Sequence, residues 1–209
     1  MKKIYRQTIE WFQANMPVAE SELNFNSPYQ LIVAVILSAQ CTDKRVNLTT
    51  PTLFEKYPSV QDMAAASPEE IYPLISSISY PNSKARHLAG MARMVVSDYG
   101  GEIPGDIDSL VRLPGVGRKT AAVVASIIYN KPVIAVDTHV FRVAHRLGLS
   151  SAKTPTAVAL ELEAGFPEEL RPKAHHWLIL HGRYVCTAKK PGCEECGLKG
   201  FCKSYGHLQ

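Results

Sequence analysis

Hydrophobic residues recur at helical spacing along most of the chain. The opening segment 1–17 ("MKKIYRQTIEWFQANMP") predicts an amphipathic helix, and helical patterns also run over 82–101 and 173–186. Two further segments, 28–39 and 120–129, are apolar on nearly every face, which is typical of helices in the middle of a bundle. These patterns together predict about ten helices.

Capping signals mark where several of these helices begin. Ser27 and Thr154 each stand directly before a proline, which pairs an N-cap hydroxyl with a proline in the first turn. The stretch 67–70 ("SPEE") has the form of a capping box. Only 131–137 ("KPVIAVD") has the composition of a strand, and no partner strand lies near it in sequence. We therefore predict an all-α fold without a sheet.

The composition is that of an ordinary globular protein. The chain has 209 residues, of which 46% are hydrophobic and 20% charged, with a formal net charge of +4. This mild basicity permits a polyanionic partner without requiring one. The longest apolar run, 31–39, is too short to span a bilayer, and Arg6, Gln7 and Glu10 interrupt any signal-peptide core. We expect a cytoplasmic protein without a membrane partner, associated with the nucleoid if the source is bacterial.

Four of the five cysteines cluster near the C-terminus. Cys186, Cys193, Cys196 and Cys202 are spaced C-x6-C-x2-C-x5-C in a segment rich in proline and glycine. A reducing cytoplasm disfavours disulfides, so the spacing indicates a metal centre. Structural zinc and a 4Fe-4S cluster both remain open on spacing alone. Cys41 stands apart beside an apolar helix, and we expect a small buried residue there.

The stretch 113–121 ("LPGVGRKTA") predicts a tight glycine turn that opens an apolar helix. Arg118 and Lys119 stand in the first helical turn, where the helix dipole disfavours cations. Backbone N–H groups in such a turn converge on an anion, and glycines such as Gly115 and Gly117 let a phosphate approach closely. The alternative is a plain turn between two helices with solvated charges.

Asp137 follows Lys119 by eighteen residues and precedes another helical pattern, "THVFRVAHRL". Its ordinary role would be to cap that helix. A functional role would be a carboxylate facing Lys119 across a cleft. The two roles are compatible, because a capping side chain lies at a helix mouth that is open to solvent.

Taken together, four segments in order resemble the endonuclease III family. They are "LPGVGRKTA", "VDTHVFRV", "HHWLILHGRYVC" and the four-cysteine tail, and the resemblance runs from about residue 25 to 202. It implies the two-domain helix-hairpin-helix DNA glycosylase fold. A six-helix domain over 22–131 would be inserted into a helical iron–sulfur domain made of 1–21 plus 132–209. The resemblance also implies that the four cysteines bind a 4Fe-4S cluster.

The resemblance implies a bifunctional DNA glycosylase and AP lyase acting on damaged double-stranded DNA, as a monomer. Such enzymes excise oxidised pyrimidines, of the thymine glycol and dihydrouracil type, and cleave 3′ to the abasic site by β-elimination. Lys119 resembles the catalytic lysine of the family and Asp137 its catalytic aspartate. We expect the helix end, the neighbouring Arg118 and partial burial to favour the neutral, nucleophilic amine of Lys119.

Further positions are matched to DNA contacts. Gln40 resembles the residue that fills the gap left by the flipped nucleotide. Tyr80, followed by Pro81, stands where many relatives have leucine–tyrosine, in a loop that wedges into the duplex. That departure leaves the lesion and opposite-base preference open. Lys189 and Lys190 would follow the phosphate backbone, the alternative being a solvated charged loop.

Two other functions compete with this interpretation. A monofunctional mismatch glycosylase would resemble the chain throughout, but such enzymes generally lack the lysine and use an activated water. A non-catalytic duplex-binding module would need neither Lys119 nor Asp137, because a carboxylate near DNA weakens binding unless it serves a reaction.

Overall fold

The structure, a computed structural model, describes residues 1–207, which form eleven α-helices and no β-strand. The helices are α1 (Lys3–Asn15), α2 (Pro28–Ser38), α3 (Asp43–Lys56), α4 (Val60–Ala65), α5 (Pro68–Ile71), α6 (Pro81–Tyr99), α7 (Ile107–Arg112), α8 (Arg118–Tyr129), α9 (Thr138–Leu147), α10 (Pro155–Gly165) and α11 (Arg171–Tyr184). Short 3₁₀ turns cover Tyr72–Ile75, Glu168–Leu170 and Lys199–Phe201. The predicted all-α fold is confirmed.

The chain divides into two compact units. The central unit is Ser21–Tyr129 and contains α2 to α8. The terminal unit joins Met1–Glu20 to the chain from Asn130 onward, so it contains α1 and α9 to α11. None of the helices in residues 1–207 has the length and hydropathy needed to cross a membrane.

The central unit is built around α2. Every residue of its 31–37 stretch is buried, and α3, α6 and α8 pack against it. The Ser27 hydroxyl accepts a hydrogen bond from the Gln30 N–H at 3.1 Å, which confirms the predicted cap. The second helix predicted to be central, α8, is different: it buries one stripe and leaves Val123 and Ile127 half-buried.

Aromatic packing ties α1 into the terminal unit. Phe12 stacks on Trp177 of α11 with ring centroids 5.5 Å apart, and the Trp177 indole donates to the Met16 carbonyl at 2.9 Å. The Tyr5 hydroxyl donates to the carbonyl of Leu149 at 2.8 Å. Burial, with a smaller contribution from a nearby glutamate charge, raises the pKa of Tyr5 to about 12. The first helix of the chain is therefore part of the C-terminal core.

The predicted helix starts are present at the remaining capping signals. The stretch 67–70 forms a capping box in which the Ser67 hydroxyl and the Glu70 carboxylate each bind the other residue's backbone N–H. Thr154 caps α10 by accepting from the Ala157 N–H at 3.3 Å. The strand-like stretch 131–137 has no regular secondary structure, in agreement with its lack of a partner strand.

Candidate active site

The hairpin between α7 and α8 is formed by residues 113–117. Its turn is closed by a hydrogen bond from the Val116 N–H to the Leu113 carbonyl at 3.0 Å. Gly115 has a φ of 80°, and a Cβ at this position would lie 2.8 Å from the Cβ of His87. Both the backbone angle and the close approach of His87 require glycine at 115.

Gly117 differs from Gly115 in its surroundings. A Cβ added at Gly117 would have no atom within 4 Å, so the glycine is not required by packing inside the protein. It precedes the first turn of α8, which contains no acidic residue but has the exposed cations Arg118 and Lys119. The helix start therefore presents open space, positive charge and the positive end of a helix dipole together.

Lys119 is exposed, so the partial burial expected from the sequence is wrong for the protein alone. The reason is its position in the first turn of α8. The apolar stripe of that helix begins at Ala121, and Lys119 precedes it.

Asp137 is the N-cap of α9 in the terminal unit. Its carboxylate accepts a hydrogen bond from the Val140 N–H at 2.7 Å, and the residue is half-buried. The predicted capping role is confirmed. The cap fixes the side chain at the mouth of the helix, which leaves the carboxylate available to a group outside the protein.

Side chains of α10 and α11 hold the irregular segment that leads to Asp137. The Glu163 carboxylate accepts from the Ile134 N–H at 2.9 Å, and His175 Nδ1 donates to the Ala135 carbonyl at 2.9 Å. Arg171 donates to the carbonyl of Pro132 at 3.3 Å. A buried segment outside a sheet needs such partners for its backbone groups. These contacts therefore replace the hydrogen bonds that a sheet would supply.

The four clustered cysteines line one recess of the terminal unit. They are Cys186, Cys193, Cys196 and Cys202, all half-buried and none in a disulfide. Burial raises the pKa of Cys196, and the charges of the other three cysteines act in the same direction. Arg146 Nη1 lies 3.4 Å from Cys186 Sγ, and His181 Nε2 lies 3.7 Å from Cys196 Sγ. Four convergent sulfurs with nitrogen groups beside them fit an iron–sulfur cluster.

Two arginines of α9 shape the loop around this recess. Arg142 donates to the carbonyls of Cys186 at 2.9 Å and Gly182 at 2.7 Å. Arg146 donates to the carbonyls of Thr187 at 2.7 Å and Ala188 at 3.1 Å. The next two residues, Lys189 and Lys190, are exposed at the end of the loop so held.

Gln40 and Tyr80, both matched to DNA contacts, are exposed and adopt left-handed backbone conformations. Their φ angles are 55° and 57°. The neighbouring Ser79 hydroxyl donates to the Gln40 carbonyl at 2.8 Å, so the two turns lie side by side in the central unit. Cys41 is half-buried against the core rather than fully buried.

Several residues that support these sites were missed by sequence reasoning. Lys84 had a signal, because it occupies a position of α6 in line with the buried Leu88 and Val95. Arg146, Glu163 and His175 had none. Their carbonyl or N–H partners lie 29 to 42 residues away in the chain.

Comparison with protein families agrees with this geometry. A family model described as the HhH-GPD superfamily of base excision DNA repair proteins matches residues 33–168. A second, described as the iron–sulfur binding domain of endonuclease III, matches residues 186–202. The second match spans all four clustered cysteines and decides between the metal centres left open by spacing: the group bound there is a 4Fe-4S cluster.

Full-length relatives are similar over nearly the whole chain. Endonuclease III of Rickettsia conorii is 43% identical over 99% of this chain and 99% of its own length. Endonuclease III of Bacillus subtilis is 48% identical over 90% of this chain and 86% of its own. A solved structure of a trapped endonuclease III–DNA covalent intermediate is 40% identical, with a TM-score of 0.93 over 99% of both chains.

A more distant structure, of a thermostable thymine-DNA glycosylase, is 27% identical with a TM-score of 0.86 over 98% of this chain and 96% of its own. The helix-hairpin-helix, the cluster-binding cysteines and the full-length similarity all point to one family. The chain is a DNA-binding enzyme of the endonuclease III family, the bifunctional base excision repair DNA glycosylases and AP lyases that carry a 4Fe-4S cluster.

Proposed function

We propose that the chain removes oxidised pyrimidines, of the thymine glycol and dihydrouracil type, from damaged double-stranded DNA and then cleaves 3′ to the abasic site. It acts as a monomer, in the cytoplasm with the chromosomal DNA. The domains that do this are 22–131, which carries the hairpin, and 1–21 plus 132–209, which carries the cluster. The observation that carries the proposal is the exposed Lys119 at the open, positive start of α8.

Lys119 is the nucleophile of this reaction. The damaged base cannot be reached inside a duplex, so its nucleotide is first rotated out of the stack. The Nζ lone pair then attacks C1′ of the deoxyribose as the bond from C1′ to the base breaks, and the base leaves with that electron pair and takes up a proton. Ring opening gives a Schiff base. Loss of a C2′ proton then expels the 3′ phosphate.

Shielding of Lys119 comes from the DNA in this proposal. The residue is exposed in the protein, so the bound nucleotide must exclude water from it.

Asp137 supplies the negative charge of the site. Its carboxylate is held by the cap of α9, so it needs no reorganisation as positive charge develops at C1′. It also assists the proton transfers that follow.

Three surfaces bind the DNA in this proposal. The hairpin, through Gly115, Gly117 and Arg118, binds a phosphate with backbone N–H groups and charge. Gln40 fills the gap left by the extruded nucleotide, and Tyr80 enters the duplex opposite it, where an aromatic ring can stack on a base. The third surface is the cluster loop, where Lys189 and Lys190 follow the phosphate backbone of the duplex.

The 4Fe-4S cluster has a structural role in this proposal: it holds the loop that carries Lys189 and Lys190. When bound, it cross-links the four cysteines of a segment that has little apolar content of its own. Arg142 and Arg146 then hold the carbonyls of the same loop, which keeps Lys189 and Lys190 at its exposed end.

Borohydride trapping on a duplex with one thymine glycol tests the proposal. We expect a covalent adduct with the wild-type protein, none with Lys119→Gln, and an undiminished adduct with the exposed-lysine control Lys153→Gln. Asp137→Asn keeps an N-cap but removes the charge, so we expect a loss of excision rate on the order of 10²-fold without loss of folding.

The other results each point elsewhere. Base release without an adduct would indicate a water-using glycosylase, and mismatched duplexes would be tested next. Tight binding with neither adduct nor base release on thymine glycol or dihydrouracil would contradict the proposed substrates. An adduct that persists in Lys119→Gln would contradict the nucleophile.

A further inference from the structure

Lys84 is a lysine at a core position of the central unit. It is 5% exposed, and its Nζ donates to the carbonyls of Leu37 at 2.8 Å and Ala39 at 2.7 Å. Burial lowers its pKa. Both carbonyls belong to the end of α2, where a helix leaves carbonyls without intrahelical partners and where a cation is favourable. Lys84 therefore completes the C-terminus of α2.

Lys84 contacts two neighbouring turns, one at 39–41 and the other at 79–81. Its backbone N–H donates to the Tyr80 carbonyl at 3.1 Å, closing the first turn of α6. Its side chain meanwhile binds Ala39, the residue directly before Gln40. One residue thus touches the turn at 39–41 through its side chain and the turn at 79–81 through its backbone.

Ser79 supplies a second connection between the same turns. Its hydroxyl donates to the Gln40 carbonyl at 2.8 Å, across 39 residues of sequence. The two turns that it joins have an unusual backbone, because Gln40 and Tyr80 are two of the three non-glycine residues within 1–207 that have positive φ. Residues other than glycine rarely adopt a positive φ, and they keep it only where the surrounding structure fixes the backbone.

We propose that Lys84 and Ser79 are positioning residues for lesion extrusion. They hold together the two backbone turns that present the exposed side chains of Gln40 and Tyr80, here called the two prongs. The prongs then enter the duplex as one preformed wedge, and little ordering is left to be done on binding. The inference rests on the proposed DNA contacts of Gln40 and Tyr80. It adds residues that do not touch DNA and act only through the prongs.

The test is single-turnover excision of thymine glycol from two duplexes. In one the lesion is paired with adenine; in the other it faces an abasic-site analogue, so no base pair has to be opened. We expect Lys84→Met to slow excision about tenfold on the paired lesion and less than about threefold on the unpaired one. The control Lys153→Met removes one exposed lysine charge and should match the wild type on both.

A mutant cycle separates positioning from general stability. In a background carrying Gln40→Ala and Tyr80→Ala, Lys84→Met should produce no further slowing on the paired lesion. A purely structural role would slow both duplexes equally and would add to the effect of the alanine background, and that result would overturn the proposal. If Lys84→Met does not fold, Ser79→Ala carries the same test, because its half-buried hydroxyl makes one hydrogen bond at the surface.

The outcomes distinguish this proposal from the function beneath it. If the variant with Gln40→Ala and Tyr80→Ala excises thymine glycol at the wild-type rate, the prongs do not act as a wedge. That result would contradict both the wedge and the positioning role. Slow excision with the alanine prongs, but wild-type behaviour of both Lys84→Met and Ser79→Ala, would keep the wedge and overturn the positioning role. A wild-type protein that releases no thymine glycol from either duplex would instead contradict the proposed substrate.

Discussion

Gly115 and Gly117 stand two residues apart in the hairpin and are glycines for different reasons. Gly115 has a left-handed backbone and lies against His87, so its requirement is internal to the protein. Gly117 has open space where its side chain would be. At the scale of the residue, packing inside the protein does not require glycine at 117, which agrees with the phosphate contact proposed there.

This difference predicts opposite results for the two alanine variants. Gly115→Ala should lower the free energy of unfolding by more than about 1 kcal/mol, because alanine is strained at positive φ and its methyl meets His87. Gly117→Ala should change stability by less than about 1 kcal/mol but weaken duplex binding about tenfold, since a methyl would stand in the way of the phosphate. Urea unfolding and fluorescence anisotropy measure the two quantities. Unchanged DNA binding by Gly117→Ala would contradict the phosphate role.

At the scale of elements, the stretch 131–137 shows how the proposed catalytic carboxylate of Asp137 is held without a sheet. Glu163 of α10 and His175 of α11 bind its backbone from the side. Asp137 then passes directly into the cap of α9. The position of the carboxylate thus depends on three helices that are separate in sequence.

Glu163 offers a matched pair of variants for this element. Glu163→Ala removes the acceptor of the buried Ile134 N–H, which should cost about 1–3 kcal/mol of stability and slow excision. Glu163→Gln keeps an oxygen acceptor and should remain close to the wild type in both respects. Thermal unfolding measures the stability of the two variants, and single-turnover kinetics measure their excision rates. Equal behaviour of the two variants would show that this hydrogen bond does not position Asp137.

At the scale of the whole molecule, a modest net charge of +4 is combined with exposed cations at particular places. Lys189 and Lys190 stand at the end of the cluster loop, which Arg146 holds. Binding through phosphate contacts depends on salt, because each contact releases counterions from the DNA.

Replacing both lysines tests the proposed backbone contact. Lys189→Gln with Lys190→Gln should reduce the slope of log affinity against log salt concentration by about two, and weaken damaged and undamaged duplex alike. The exposed Lys153→Gln should leave the slope unchanged. A salt slope that stays at the wild-type value in the double variant would mean that the loop is solvated and does not contact DNA.

The stability of the fold also depends on pH through His176. Burial first, and then the neighbouring His175 and Arg183, lower the pKa of His176 to about 3 from 6.5. Because the unfolded chain takes up a proton near pH 6.5 and the folded one does not, stability is lost as pH falls below 6.5 toward 3. Between pH 7.5 and 5.0 this residue should account for about 2 kcal/mol.

The variant His176→Gln removes that titration. Its free energy of unfolding in urea should fall less than that of the wild type between pH 7.5 and 5.0, whatever its stability at neutral pH. An equal fall in both proteins would mean that His176 takes up its proton in the folded state.

The sequence by itself determined the all-helical fold and several helix caps, and it indicated the residues that are proposed to carry the chemistry. Ser27, the capping box at 67–70 and the cap at Asp137 all depend on contacts three residues along the chain, so local sequence specifies them. The cysteine spacing, together with the family resemblance, likewise indicated the 4Fe-4S cluster. Interactions between residues only a few positions apart can therefore be predicted from the sequence.

Only the tertiary structure decided which backbone groups the supporting side chains bind and how exposed each site residue is. Lys84 reaches Leu37 across 47 residues, and His175 reaches Ala135 across 40. Every residue carries a carbonyl, so nothing in the sequence marks the ones that accept these bonds. The exposure of Lys119 was decided in the same way, because burial depends on what packs nearby and not on residue type alone.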